Sequence, residues 1–199
     1  MTKMCCLCTA VSLVALFALP AHAAPIVTNG GFEDVGGTTP GSPGPLTGWT
    51  SGDPANQFAS SAFPHSGGWA AALGAVDPAM GELSQSLNTT TGAPYTLVYW
   101  LYSTGDVPNT FSASWGGNVI SGSALTDDTT VAGVYTRFAF PNLIATGPLT
   151  TLTFRATNDL GFWHLDDVSL STTPEPAAVW LCGPVLASLL VLRRQLGRR

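Results

Sequence analysis

In this 199-residue chain, the residue with the clearest chemical demand is Asp166. It stands in Phe162-Trp163-His164-Leu165-Asp166-Asp167-Val168-Ser169-Leu170, where a period of two places Phe162, His164, Asp166, Val168 and Leu170 on one face. A carboxylate on such an apolar stripe is costly unless it meets a cation or several hydrogen-bond donors. Glu33 is a candidate to share a cation with it, because two carboxylates alone repel. Calcium would suit the pair, since it takes carboxylate, carbonyl and water oxygens in flexible geometry. The alternative is that Asp166 is satisfied by backbone hydrogen bonds alone. Catalytic chemistry has little support. His65 and His164 are the histidines outside the leader, and the chain has no G-x-S-x-G elbow, H-E-x-x-H, P-loop or dinucleotide fingerprint. Asp127-Asp128 and Asp166-Asp167 point neighbours to opposite faces if extended, so neither forms a dyad of the kind that hydrolyses glycosides.

The elements that must position these side chains read as strands. Glycine and proline punctuate residues 24–173 densely, Thr, Val, Tyr, Phe and Trp fill the runs between them, and no helical period emerges. Expected strands are 26–32, 70–74, 82–88, 95–103, 111–115, 135–140, 149–157 and 162–171. Residues 36–48, GGTTPGSPGPLTG, must be a loop. One all-β domain of about 150 residues, a β-sandwich or jelly roll, accommodates this pattern. Within 95–102, Tyr95, Leu97, Tyr99 and Leu101 share one face while Val98, Trp100 and Tyr102 share the other, which marks a central strand. In 149–157, Leu152, Phe154 and Ala156 face inward and Arg155 outward.

Both ends read as targeting segments. Lys3, an apolar run over 7–19 and the small-residue pattern Ala21-His22-Ala23 describe a secretory signal peptide, 1–23, cleaved after Ala23. All four cysteines, Cys5, Cys6, Cys8 and Cys182, lie in the two end segments, so the exported domain has no disulfide. Between Ala24 and Pro176 the cations are Arg137 and Arg155 against twelve acids, or two minus twelve, about −10 with every acid ionised. That charge excludes nucleic acid as a partner, for lack of a basic patch, and suits a neutral ligand or a divalent cation. At the other end, the apolar run 177–192 is just short of a comfortable membrane span, and the arginines that follow it keep the body of the protein outside.

This tail, Pro174-Glu175-Pro176, then an apolar helix of residues 177–192, then Arg193, Arg194, Arg198 and Arg199, resembles the PEP-CTERM sorting signal of Gram-negative bacteria that make exopolysaccharide. The resemblance implies a sorting segment over 174–199, recognised by a membrane enzyme, exosortase, and cleaved near Pro-Glu-Pro. The protein would be held in the inner membrane before processing and would then reach the cell surface or extracellular matrix. An ordinary C-terminal anchor is the plainer alternative.

A second resemblance rests on Asn29-Gly30-Gly31-Phe32-Glu33, Gly48-Trp49, Leu83-Ser84-Gln85-Ser86-Leu87, Gly92, Tyr95-Thr96-Leu97 and the segment from Phe162 to Leu170. Together these are similar to galactose-binding-like jelly-roll domains, which include cellulose- and xylan-binding modules. The likeness implies an eight- or nine-stranded jelly roll with a structural calcium joining the first and last strands at Glu33 and Asp166. It also implies a non-catalytic domain that binds exopolysaccharide or another glycan, by stacking sugar faces on exposed aromatic rings. Trp100 and Tyr102 are the leading candidates, with Trp49 and Trp69 in or beside loops as further ones. Two alternatives stay open: that 36–48 covers the Trp100 face, and that the domain is a structural matrix protein with no specific ligand. A polysaccharide-active enzyme is a third, weaker reading.

Overall fold

The structure, a computed structural model, describes residues 26–75 and 80–172. The expected signal peptide 1–23 and the expected sorting segment 174–199, with Pro174, Glu175, Pro176, Arg193 and Arg194, lie outside the described residues.

The described chain contains strands and no helix. In order they are β1 (Thr50–Ser51), β2 (Gln57–Ser60), β3 (Ala70–Leu73), β4 (Gly81–Asn88), β5 (Pro94–Ser103) and β6 (Asn109–Trp115), followed by β7 (Asn118–Val119), β8 (Leu125–Thr126), β9 (Thr136–Ile144), β10 (Leu149–Asn158) and β11 (Trp163–Thr172). They form two antiparallel sheets. One has the order β1-β4-β10-β6-β7 with β8 also paired to β6; the other has the order β2-β3-β11-β5-β9. Alternation builds the core between them: Leu83 and Leu87 of β4, Tyr95, Leu97, Tyr99 and Leu101 of β5, and Leu152, Phe154 and Ala156 of β10 are all buried. Tyr99 meets Phe154 edge-on at 5.3 Å, and Phe111 lies 5.5 Å from Trp163. Arg155 points outward as expected and pairs with Glu82 at 2.9 Å, both half exposed, so the pair adds little stability.

Two local features depart from simple alternation. The first is residues 26–32, expected as a strand. They form bends and turns instead, because Asn29 and Phe32 take left-handed backbone conformations with φ of 48° and 57°. The Asn29 side chain braces that turn: its amide donates to the Thr47 carbonyl at 2.9 Å and its oxygen accepts the Asp34 N–H at 3.0 Å. Phe32 is driven fully into the core against Trp49, 5.5 Å away. The second feature is a bulge in β11, where the register with β5 shifts between Asp166 and Ser169 and Asp167 has φ of 48°. Trp163 and Leu165 therefore face the core before the bulge, and Val168 and Leu170 after it. His164 and Asp166 lie on the opposite, outer face, which corrects the period-two reading that grouped them with Val168 and Leu170.

The two features lock together. Val168 donates its N–H to the Gly30 carbonyl at 2.9 Å, and a Cβ on Gly30 would sit 2.0 Å from the Val168 oxygen, so no side chain fits there. Residues 36–48 are turns as expected, with Gly44 exchanging two backbone hydrogen bonds with Ala59 of β2. That loop shields the β2 edge of the sheet rather than the Trp100 face. At the other edge, β9 runs past its expected end through Pro141, which an edge strand tolerates.

Candidate functional site

The outer face of the second sheet gathers the polar and aromatic side chains that sequence placed far apart. Register sets Trp100 of β5 between Asp166 of β11 and Arg137 of β9, and Tyr102 beside His164, which in turn is opposite Ala72 of β3. After the bulge, Ser169 joins Val98 on this face.

Across the face runs the connection between β2 and β3, residues 61–69. Three carboxylates hold it. Asp166 Oδ2 accepts the His65 and Ser66 N–H groups at 2.8 and 3.1 Å, while its Oδ1 takes its neighbour's N–H, that of Asp167, at 2.7 Å. Asp167 binds His65 Nδ1 at 2.6 Å and accepts the Ser66 hydroxyl at 2.7 Å. Glu33 Oε1 accepts the Gly68 and Trp69 N–H groups at 2.9 and 3.0 Å. Tyr135 adds a hydroxyl donated to the Phe63 carbonyl. Pinned this way, the loop lays its rings on the sheet: His65 stacks on Trp100 with centroids 4.0 Å apart and planes 19° apart, and Phe63 stacks on Tyr102 at 5.2 Å and 18°.

The electrostatics follow from this cover. Burial pushes the Asp166 carboxyl up to about 6, against the three backbone donors that pull it down, and the Asp167 charge adds to the rise. Burial lowers His164 to about 4, so its ring is neutral near pH 7, and its Nδ1 has no hydrogen-bond partner. The Tyr135 hydroxyl is pushed upward, first by burial and then by the charges of Asp166 and Asp167.

Of the four aromatic candidates, the structure brings two together. Trp100 and Tyr102 stand on this face, each half-buried. Trp49 is 9% exposed, packs on Phe32 and Phe154 and donates its indole N–H to the Asn29 carbonyl at 3.1 Å. Trp69 is 7% exposed and belongs to the core. Both are therefore placed as structural rings, because burying so large an apolar surface outweighs leaving it wet. Glu33 and Asp166 hold the same loop, yet each directs its oxygens at backbone N–H groups. Among the described residues no cluster of three or more His, Cys, Asp or Glu side chains is placed to hold a metal ion. The donor set at Glu33 and Asp166 thus fits amide capture better than a calcium shell.

Sequence reading did not single out Phe63 or Tyr135, and it weighed His65 and Asp167 only against catalysis and Arg137 only as a charge, without placing any of them at this face. The available signal was the run Phe63-Pro64-His65, two rings flanking a rigid residue in a loop. Ser66, His65 and Asp167 look superficially like a nucleophile set. Their connectivity is wrong for a Ser-His pair, since Ser66 and His65 both bond to Asp167 and the hydroxyl donates to that carboxylate rather than to the imidazole. What remains open to solvent is a cleft of about 480 Å³ between Val27, Asn29–Gly31 and the Val98, Trp100, Asp167 and Ser169 side. It combines apolar area with the Asp167 carboxylate and the Ser169 hydroxyl, the mixture that holds a polyhydroxylated ligand.

No protein-family model matches the chain, and no curated protein does. Solved structures do resemble it. A family 61 carbohydrate-binding module, TmCBM61, in complex with β-1,4-galactotriose superposes with a TM-score of 0.56 at 16% identity, covering 76% of this chain and 100% of that one. A family 22 xylan-binding domain gives 0.51 at 13% identity, covering 67% and 92%. The enzymatically active domain of tailspike protein 4 from bacteriophage CBA120 gives 0.53 at 14% identity, covering 75% of this chain and 21% of that one. The described residues thus form an all-β sandwich of the carbohydrate-binding-module type, a likeness of fold.

Proposed function

We propose that this domain binds a glycan without transforming it, through the outer face of the β2-β3-β11-β5-β9 sheet. The observation that carries the reading is the open cleft lined by Trp100 and Val98 next to Asp167 and Ser169. Carbohydrate-binding-module neighbours of the fold support it. Exopolysaccharide of the cell envelope or extracellular matrix is the ligand class that an exosortase-sorted protein would meet. In the same reading, Pro174, Glu175 and Pro176 with Arg193 and Arg194 direct the chain to the surface.

The test uses the full chain in mild detergent with β-1,4-galactotriose, xylan and the host exopolysaccharide. Binding that falls at least tenfold in Trp100→Ala, with an unchanged folding transition, is the expected result. Absence of binding to all three would favour the second reading, a structural surface protein, which the covered ring faces of Trp100 and Tyr102 also suit. Sorting is checked separately by intact mass in the host: loss of the tail near Pro174–Pro176 only when exosortase is present is expected, and an unprocessed chain in the inner membrane would overturn it.

A further inference from the structure

We propose that residues 61–68 form a displaceable strap, which fills the stacking faces of Trp100 and Tyr102 with the chain's own His65 and Phe63 rings. A glycan then gains those faces only when the strap lifts. The proposal rests on the glycan reading of this sheet face and adds control of access to it.

Four observations point this way. First, both strap rings lie nearly parallel to the ring beneath, 19° and 18° from coplanar. Ring pairs at the core take both arrangements here, Tyr99 meeting Phe154 edge-on and Phe138 flat at 18°. Flat cover over two neighbouring platforms is the geometry in which a planar sugar face would stack. Second, Phe63 remains 43% exposed, so it caps Tyr102 without being anchored in the core. Third, the connection joins adjacent antiparallel strands, where two to five residues would suffice, yet it is longer and folds back over the sheet. Fourth, its two roots are held differently. Glu33 fixes Gly68 and Trp69, whereas at the other root, just past the end of β2 at Ser60, Ser61 Oγ accepts the Gly41 N–H at 2.9 Å and Ser60 Oγ the Ala62 N–H at 3.2 Å, both exposed beside an open cleft of about 210 Å³. The exposed bonds at 61–62 are ones water can replace, and the glycine at Gly67, with φ of 60°, supplies the second hinge.

The latch between these hinges is polar: buried Asp166 takes the His65 and Ser66 N–H groups beneath it, and its outer part, at Asp167, reaches solvent. His65 and Asp167 side chains are 26% and 33% exposed, and Ser66 is exposed. Water or sugar hydroxyls can replace their bonds at small net cost. Lifting the strap would uncover Trp100, which is the only tryptophan among the described residues that is not buried.

The deciding experiment compares the wild-type full chain with Phe63→Ala/His65→Ala, using β-1,4-galactotriose, xylan and host exopolysaccharide. Removing both caps is expected to raise affinity about tenfold, each stacked ring contributing roughly a factor of three. The gain should vanish when Trp100→Ala is added. In the wild type, which avoids any folding defect of the double variant, glycan should accelerate amide exchange at His65 and Ser66, whose N–H groups Asp166 now holds. Equal or weaker binding by the double variant, or slowed exchange at those amides, overturns the strap while leaving glycan binding intact. No binding by either protein overturns the strap and the glycan reading together.

Discussion

Asp166 and His164 lie one residue apart on the same covered face, and burial moves them in opposite senses, which makes the pH dependence of stability a sensitive check on the geometry. The Asp166 carboxyl rises from 3.8 to about 6 on folding, so between these pH values the native state binds more protons than the unfolded chain. Its contribution is fully present below about pH 4 and is lost as pH rises through about 6. His164 falls from 6.5 to about 4, so its contribution is present above pH 6.5 and is lost as pH falls toward 4. At 1.36 kcal/mol per pH unit of displacement, each change is worth up to about 3 kcal/mol. A strap that admits some water reduces each to roughly 1 to 3 kcal/mol. The slopes oppose over one window, so wild-type stability should vary by less than about 1 kcal/mol from these two groups between pH 4 and 6.5. Asp166→Asn should leave the histidine slope, with stability rising as pH rises. His164→Gln should leave the carboxyl slope, with stability falling. Urea unfolding followed by tryptophan fluorescence at half-unit pH intervals measures all three proteins. Every other ionisable group is common to the three proteins and drops out of the differences. Parallel pH profiles for the wild type and both variants would refute the reasoning, because they would mean that neither group is shielded as the structure places it.

Further predictions follow from the same region. Gly30→Ala forces a methyl group to within 2.0 Å of the Val168 carbonyl oxygen and must part the 29–32 turn from the β11 bulge, so it should cost about 2–3 kcal/mol. Gly52→Ala, whose new Cβ would meet nothing nearer than 3.4 Å, should cost less than about 0.5 kcal/mol in the same urea assay. Because Glu33 and Asp166 turn their oxygens to N–H groups, chelator is expected to leave Tm unchanged. A rise of several degrees in millimolar calcium would restore the shared cation.

Alternation alone determined most of the scaffold. The strands now seen as β4, β5, β6, β9, β10 and β11 were legible because each carries enough residues for period two to separate a core face from a wet one, while the four-residue β3, buried on both faces, was legible only as an apolar run. The short β1, β2, β7 and β8, of two to four residues, give no such period. The same logic paired Trp100 with Tyr102 on the face away from the core, and left Asp166 with a need for donors. Beyond that, parity misled. A single left-handed residue, Asp167, shifts β11 by one position, and no alternation rule announces a bulge in advance. Residues 26–32 have strand-like composition, yet become a turn because Phe32 gains more by filling the core than the backbone loses in a left-handed conformation. Which rings are structural and which stand at a surface was likewise a tertiary matter. Trp49 and Trp69 are drawn inward, while Trp100 is met by His65, a residue 35 positions earlier in the chain. Asp166 found two of its donors 101 and 100 positions earlier in sequence order, in the backbone of His65 and Ser66. Sequence determines what each side chain requires, since charge, area and rotamer are its own properties. Only the folded chain decides who meets that requirement, because the partners are distant segments brought together by closing two sheets around one core.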